Sequence, residues 1–102
     1  MSFIVDKIYI SSVVEARDEK FLKRNKITHI LIAAKTLKKY FDWPVYKQLP
    51  LTDNPGTKIA KYFTEAFKFM EETLKTGNTI LVHCLGGRSR SVTLVIAYLM
   101  LM

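Results

Sequence analysis

A nine-residue stretch near the end of the chain constrains the fold more than any other feature. It reads His83-Cys84-Leu85-Gly86-Gly87-Arg88-Ser89-Arg90-Ser91 and lies between the apolar run 79–82 and the longer apolar segment 92–100. A short apolar run, a glycine-bearing turn and a long apolar segment predict a strand, a loop and a helix. The first turn of a helix has free backbone N–H groups at the positive end of its dipole. The loop is therefore predicted to bind an anion.

The residue types within this loop indicate which anion it binds and what chemistry follows. Gly86 and Gly87 permit positive φ, which allows successive N–H groups to point inward, and Arg90 can donate a bidentate fork to phosphate oxygens. Such surroundings lower the pKa of a cysteine such as Cys84 from about 8.5 to between roughly 3.5 and 7.5. A thiolate beneath a bound phosphate is a nucleophile for phosphorus. We reject the alternative that Cys84 is only an apolar core residue, because it leaves the glycines and Arg90 unexplained.

The loop resembles the signature of the cysteine-based protein phosphatases. Its form, HCxxGxSRS, and the apolar helix with Ala-Tyr-Leu-Met after it are similar to the dual-specificity branch. The resemblance implies a catalytic domain over residues 1–102 and a cysteinyl-phosphate intermediate on Cys84, with no metal or cofactor. It also implies that Arg90 and the loop 85–90 bind the phosphate, that His83 supports the loop, and that the Ser91 hydroxyl eases departure of the thiolate.

A general acid is predicted in the turn-rich segment 50–57. The leaving oxygen of a phosphate ester needs a proton, and a carboxylic acid above the phosphate site would supply it. Asp53 lies 31 residues before Cys84, and no other acidic residue occurs between Asp42 and Glu65. This order resembles the general-acid loop of the family, so we assign that role to Asp53. The alternative is a turn aspartate, for which Asp-Asn-Pro-Gly is a suitable sequence.

The composition sets limits on the class of protein. The 102 residues fit one small domain, and 49% are hydrophobic, so the chain has enough apolar material for a core. The net charge of +7 favours phosphorylated or acidic partners, and no nucleic-acid-binding signature is found. The sequence predicts no membrane span and no signal peptide. A single cysteine suits a reducing compartment, so we expect the protein in the cytoplasm, with the nucleus as the alternative.

The pattern along the chain predicts an α/β fold with a central, mostly parallel sheet flanked by helices. Strands are predicted at 3–5, 8–10, 27–32, 45–49 and 79–82. Ser12 and Glu15 form a capping-box pattern for a helix that reaches about Asn25 and is broken near Asp18. A second helix is predicted from Lys58 to Lys75, with Thr57 as its N-cap and Gly77 at its stop.

Three regions leave alternatives open. The segment from Lys35 to Trp43 is read as a solvated helical turn with packed rings, and the alternative is a rim that recognises substrate. His29, inside a strand, is read as structural rather than catalytic. Dual-specificity domains continue with further helices, so the resemblance implies C-terminal truncation, or else self-association or a second chain that covers Val95, Ile96 and Leu99.

The substrate class also has alternatives. The pattern favours phosphotyrosine and phosphoserine or phosphothreonine on proteins. Gly-Arg-Ser-Arg-Ser, which includes Arg88, is also similar to the loop of mitochondrial lipid-phosphate phosphatases, so phosphoinositides or phosphatidylglycerophosphate are the second candidates. A non-catalytic phosphoprotein-binding module is the third. We read Arg88 as solvent-facing rather than as a reader of a second anion.

Overall fold

The computed structural model describes residues 3–5, 7–51, 59–84 and 90–101, with side chains for 7–51, 61–84 and 93–100. Five strands and four α-helices occur in these ranges: β1 (Phe3–Val5), β2 (Ile8–Ser11), α1 (Val13–Ala16), α2 (Glu19–Arg24), β3 (Ile27–Ile32), β4 (Val45–Gln48), α3 (Phe63–Lys75), β5 (Thr79–His83) and α4 (Arg90–Leu101). A 3₁₀ turn, Ile59–Tyr62, precedes α3.

The strands form one mixed sheet in the order β1-β2-β5-β3-β4. The pairs β2–β5, β5–β3 and β3–β4 are parallel, and only β1 is antiparallel, in a hairpin with β2. The predicted α/β class with a mostly parallel sheet is therefore confirmed. β5 is the middle strand, and all five of its residues are buried. Its carboxyl end therefore lies at the centre of the edge formed by the carboxyl ends of the parallel strands.

Helices cover both faces of the sheet, and each face has its own buried cluster. Alternate residues of β5 divide between them, as the period of two in a strand requires. Ile80, Val82 and Cys84 lie in the cluster on the side of α3 and α4, whereas Leu81 lies in the cluster with Ala16 and Leu22 of the first two helices.

The capping prediction at Ser12 is confirmed. Ser12 Oγ accepts from the Val14 N–H, and the Ser12 N–H donates to Glu15 Oε1 at 3.2 Å. The helix breaks at Asp18, as the sequence indicates, because the Asp18 carboxylate accepts from the Phe21 N–H and starts α2 as a new helix.

Two local predictions were wrong. The helix predicted from Lys58 to Lys75 is confirmed over Phe63–Lys75, but its predicted start was wrong, because Ile59–Tyr62 is a 3₁₀ turn; Lys58 and the predicted cap Thr57 lie outside the described residues. Tyr62 at the start of α3 makes no side-chain capping hydrogen bond, and aromatic and β-branched residues favour the α-helix weakly. The predicted helical turn at 35–39 is irregular chain instead. The stop after α3 is confirmed, since Gly77 has φ +77° and its N–H donates to the Leu74 carbonyl.

The expectation that another chain covers Val95 was also wrong, because α3 and the sheet bury this side chain within the domain. Ile96 is 50% exposed and Leu99 is 38% exposed, so these two side chains do face outward. Along the described helices, none is long and apolar enough to span a membrane.

Candidate active site

The candidate nucleophile lies where the central strand ends. Cys84 directly follows β5, is 2% exposed and packs in the cluster beneath α3 and α4. Six residues later Arg90 begins α4. In open parallel sheets, ligands bind in the crevice outside the carboxyl ends of the strands, and here the loop that follows Cys84 leads into a helix N-terminus. The predicted strand before Cys84 and the predicted helix from Arg90 are thus both present.

His83 is held inside the sheet rather than at the surface. It is 1% exposed and pairs in register with Ser11 of β2 on one side and with Ile32 of β3 on the other. Its backbone carbonyl accepts the Ala33 N–H at 2.8 Å. Nδ1 of the ring is buried and has no hydrogen-bond partner in the part of the chain that the structure describes.

Burial determines the protonation state of His83. Desolvation lowers the pKa of His83 from 6.5 to about 4, and a backbone interaction with Cys84 opposes this only in part. The ring is therefore neutral at pH 7. A neutral imidazole can support the loop by donating or accepting a hydrogen bond, but it does not stabilise a thiolate as a cation. A positive charge for anion binding would therefore have to come from groups other than His83.

The other predicted site residues are described in part or not at all. Arg90 and Ser91 form the first residues of α4, and only their backbone is described. The loop 85–89, with Arg88, and the predicted general acid Asp53 lie outside the described residues. The segment that contains Asp53 starts beside the site, since Leu51 is buried and its carbonyl accepts the Lys35 N–H at 2.7 Å.

The segment 33–37 follows β3 at the same sheet edge as Cys84. A single side chain fixes it: Gln48 Nε2 donates to the carbonyl oxygens of Ala34 (2.9 Å), Lys35 (3.3 Å) and Leu37 (2.5 Å). Sequence reasoning missed this role of Gln48. No local sequence pattern indicates these hydrogen bonds, because Gln48 and its acceptors come together only when β3 and β4 pair.

His29 behaves as the structural histidine that was predicted. Its Nδ1 lies 2.7 Å from Thr28 Oγ1, its ring packs at 5.6 Å from that of Phe69, and partial burial lowers its pKa. Within the described ranges, no group of three or more His, Cys, Asp or Glu side chains is arranged to hold a metal ion.

Comparison with known proteins identifies the family. Residues 8–102 match the model of the dual specificity phosphatase catalytic domain. The chain belongs to this family.

The relatives of this dual specificity phosphatase domain agree in sequence and in fold. It is 44% identical to dual specificity protein phosphatase 22 of Mus musculus and 43% identical to dual specificity protein phosphatase 1B of Arabidopsis thaliana, in each case over 98% of the chain. It spans 54% and 60% of the lengths of these two relatives.

Two solved structures have the same fold. A crystal structure of DUSP15 superposes with a TM-score of 0.91 at 34% identity and covers 98% of this chain and 64% of its own. A human tyrosine phosphatase-like serine/threonine/tyrosine-interacting protein superposes with a TM-score of 0.89 at 32% identity, over 100% of this chain and 73% of its own.

Proposed function

We propose that the protein hydrolyses phosphotyrosine and phosphoserine or phosphothreonine monoesters on proteins. The observation that carries the proposal is a buried Cys84 at the carboxyl end of the central strand, six residues before α4 begins, in a dual specificity phosphatase domain. The net charge of +7 favours phosphorylated substrates over neutral ones.

The proposed reaction has two steps. In the first, the Cys84 sulfur attacks phosphorus, the bond to the ester oxygen breaks, and the Asp53 carboxyl gives that oxygen its proton. Arg90 and the amides of the loop stabilise the equatorial oxygens as charge develops. In the second step, water attacks phosphorus and gives a proton to Asp53, the sulfur–phosphorus bond breaks, and Ser91 eases departure of the thiolate. The products are the free hydroxyl and inorganic phosphate.

Two other functions remain as candidates. A lipid-phosphate phosphatase would use the same chemistry on phosphoinositides or phosphatidylglycerophosphate. A non-catalytic phosphoprotein-binding module is favoured by one specific observation, the 32% identity to a protein described as phosphatase-like and as interacting. The presence of Cys84, Arg90 and Asp53 in this chain supports turnover instead, because the proposed reaction needs all three.

Two further expectations belong to the proposal. The single cysteine supports a reducing compartment, which is the cytoplasm or the nucleus. Self-association or a second chain would cover the exposed Ile96, Leu99 and Met100 of α4, and sedimentation at several concentrations tests this.

The Cys84→Ser variant tests the function. We expect it to lose turnover of an aryl phosphate and of a phosphopeptide panel while it still binds tungstate, because the loop amides and Arg90 remain. Phosphoinositides and phosphatidylglycerophosphate are assayed beside the peptides. Turnover by the variant would refute the cysteinyl-phosphate mechanism, faster turnover of the lipids would favour the second candidate, and phosphopeptide binding without wild-type turnover would favour the third.

A further inference from the structure

Lys35 follows the strand next to the nucleophile and lies at the same edge of the sheet. Ile32 of β3 pairs with His83 of β5, and the Ala33 N–H donates to the His83 carbonyl. Ala33 and Cys84, the next residues after these two strands, therefore lie side by side. Neighbouring strands are about 4.8 Å apart and two further residues span at most about 7 Å, which places the Lys35 Cα within about 12 Å of the Cys84 Cα.

The backbone of Lys35 is fixed at both of its polar groups. Its N–H donates to the Leu51 carbonyl at 2.7 Å, and its own carbonyl accepts from Gln48 Nε2 at 3.3 Å. Gln48 also binds the carbonyls of the flanking Ala34 and Leu37. The backbone of Lys35 therefore has a defined position, although its side chain is exposed.

The Lys35 ammonium makes no ion pair with any residue that the structure describes, and among the lysines without one it is distinguished by its place beside Cys84. Three lysines contact glutamates at 3.4–3.9 Å: Lys23 with Glu19, Lys47 with Glu65 and Lys75 with Glu71. Lys38, on the same segment as Lys35, lies over the ring of Tyr40 at 5.2 Å. The segment thus carries a cation next to the nucleophile that the described part of the domain does not neutralise.

We propose that Lys35 binds a second anionic group of the substrate, a phosphate or carboxylate one or two residues from the phosphorylated residue of a peptide. The inference rests on the proposed function and adds a specificity-determining residue to it. Successive residues of an extended peptide are about 3.3 Å apart, so an anion two residues away lies about 7 Å along the chain. This spacing suits a lysine whose Cα is within about 12 Å of that of Cys84 and whose side chain extends over several ångströms.

A matched pair of charge reversals tests the proposal. Lys26 and Lys35 are both exposed and flank the same strand, Lys26 at the amino edge and Lys35 at the carboxyl edge. Lys35→Glu and Lys26→Glu change the net charge equally, so a difference between them reports position. The substrates are a phosphopeptide with alanine neighbours, the same peptide with glutamates or a second phosphate beside the target residue, an aryl phosphate, and phosphoinositide vesicles.

The readout is the ratio of kcat/KM for the doubly anionic peptide to that for the alanine-flanked peptide. We expect Lys35→Glu to lower this ratio about five- to tenfold, mainly through KM and less at high salt, and Lys26→Glu to leave it unchanged. Binding of the same peptides to the Cys84→Ser form, with and without Lys35→Glu, gives the same ratio without turnover. The proposal is therefore tested even if the proposed hydrolysis fails.

Several results would overturn the proposal. Equal losses on all substrates, aryl phosphate included, would mean that Lys35 acts on the catalytic machinery, for example through Asp53. Equal effects of Lys26→Glu would mean that only net charge matters. A loss confined to phosphoinositide vesicles would assign Lys35 to lipid recognition, and an unchanged ratio would leave it no role in specificity.

Discussion

The buried, neutral His83 makes the stability of the domain depend on pH in a predictable direction. Its pKa is about 4 in the folded protein, whereas an unfolded chain has the usual value of 6.5. Between these values the unfolded chain binds more protons than the folded one, so the free energy of unfolding rises with pH. The contribution is present above pH 6.5 and is lost as the pH falls towards 4.

The magnitude follows from the two pKa values. Integrated from pH 7 to pH 5, a single group that moves from 6.5 to about 4 removes about 2 kcal/mol of stability. That is a large part of the 5–15 kcal/mol, roughly, by which small domains are stable. The physical cause is desolvation, because an imidazolium at this position would be buried between β2 and β3.

Urea unfolding at a series of pH values between 5 and 7 measures the effect. We expect the free energy of unfolding of His83→Gln to fall by about 2 kcal/mol less over this range than that of the wild type. His29→Gln is the matched control, since His29 is the only other histidine and is only partly buried. Parallel curves for the wild type and His83→Gln would show that His83 is not held neutral by burial.

Two further predictions concern residues around the site. Asp53→Asn should lower turnover by roughly 10²–10⁴ on alkyl phosphates and much less on an activated aryl phosphate, and equal losses on both would mean that Asp53 only shapes its turn. Gln48→Ala should lower the free energy of unfolding by about 1–3 kcal/mol in urea, because three backbone carbonyls of segment 34–37 lose their donor. Asn78→Ala, which removes an exposed amide, should cost less, and a similar loss for both would contradict the role of Gln48.

Those features of the fold that depend on neighbouring residues could be predicted from the sequence. The capping box at Ser12 and the break at Asp18 each follow from side chains that act on nearby backbone groups. The apolar runs 79–82 and 92–100 were likewise sufficient to predict the strand that ends before Cys84 and the helix that begins at Arg90.

Features that depend on tertiary contact could not be predicted in this way. The irregular path after β3 is stabilised by Gln48, thirteen residues beyond Lys35, and nothing near Lys35 in the sequence indicates this. The neutral state of His83 follows from two neighbouring strands that bury it, and the burial of Val95 follows from packing within the domain. Each of these features depends on strands or helices that are distant in the sequence.

The position of β5 has a consequence for how the domain is assembled. The strand that occupies the middle of the sheet is the last of the five in the chain, and β2 and β3 are joined only through it. Without β5, the only strand pairs left in the sheet would be β1–β2 and β3–β4, each with an open edge of unpaired backbone groups. Closing the sheet pairs segments more than forty residues apart, such as Ile30 with Leu81 and Tyr9 with Leu81, which is slow compared with local folding. We therefore expect Cys84, directly after β5, to reach its place only with the step that completes the sheet.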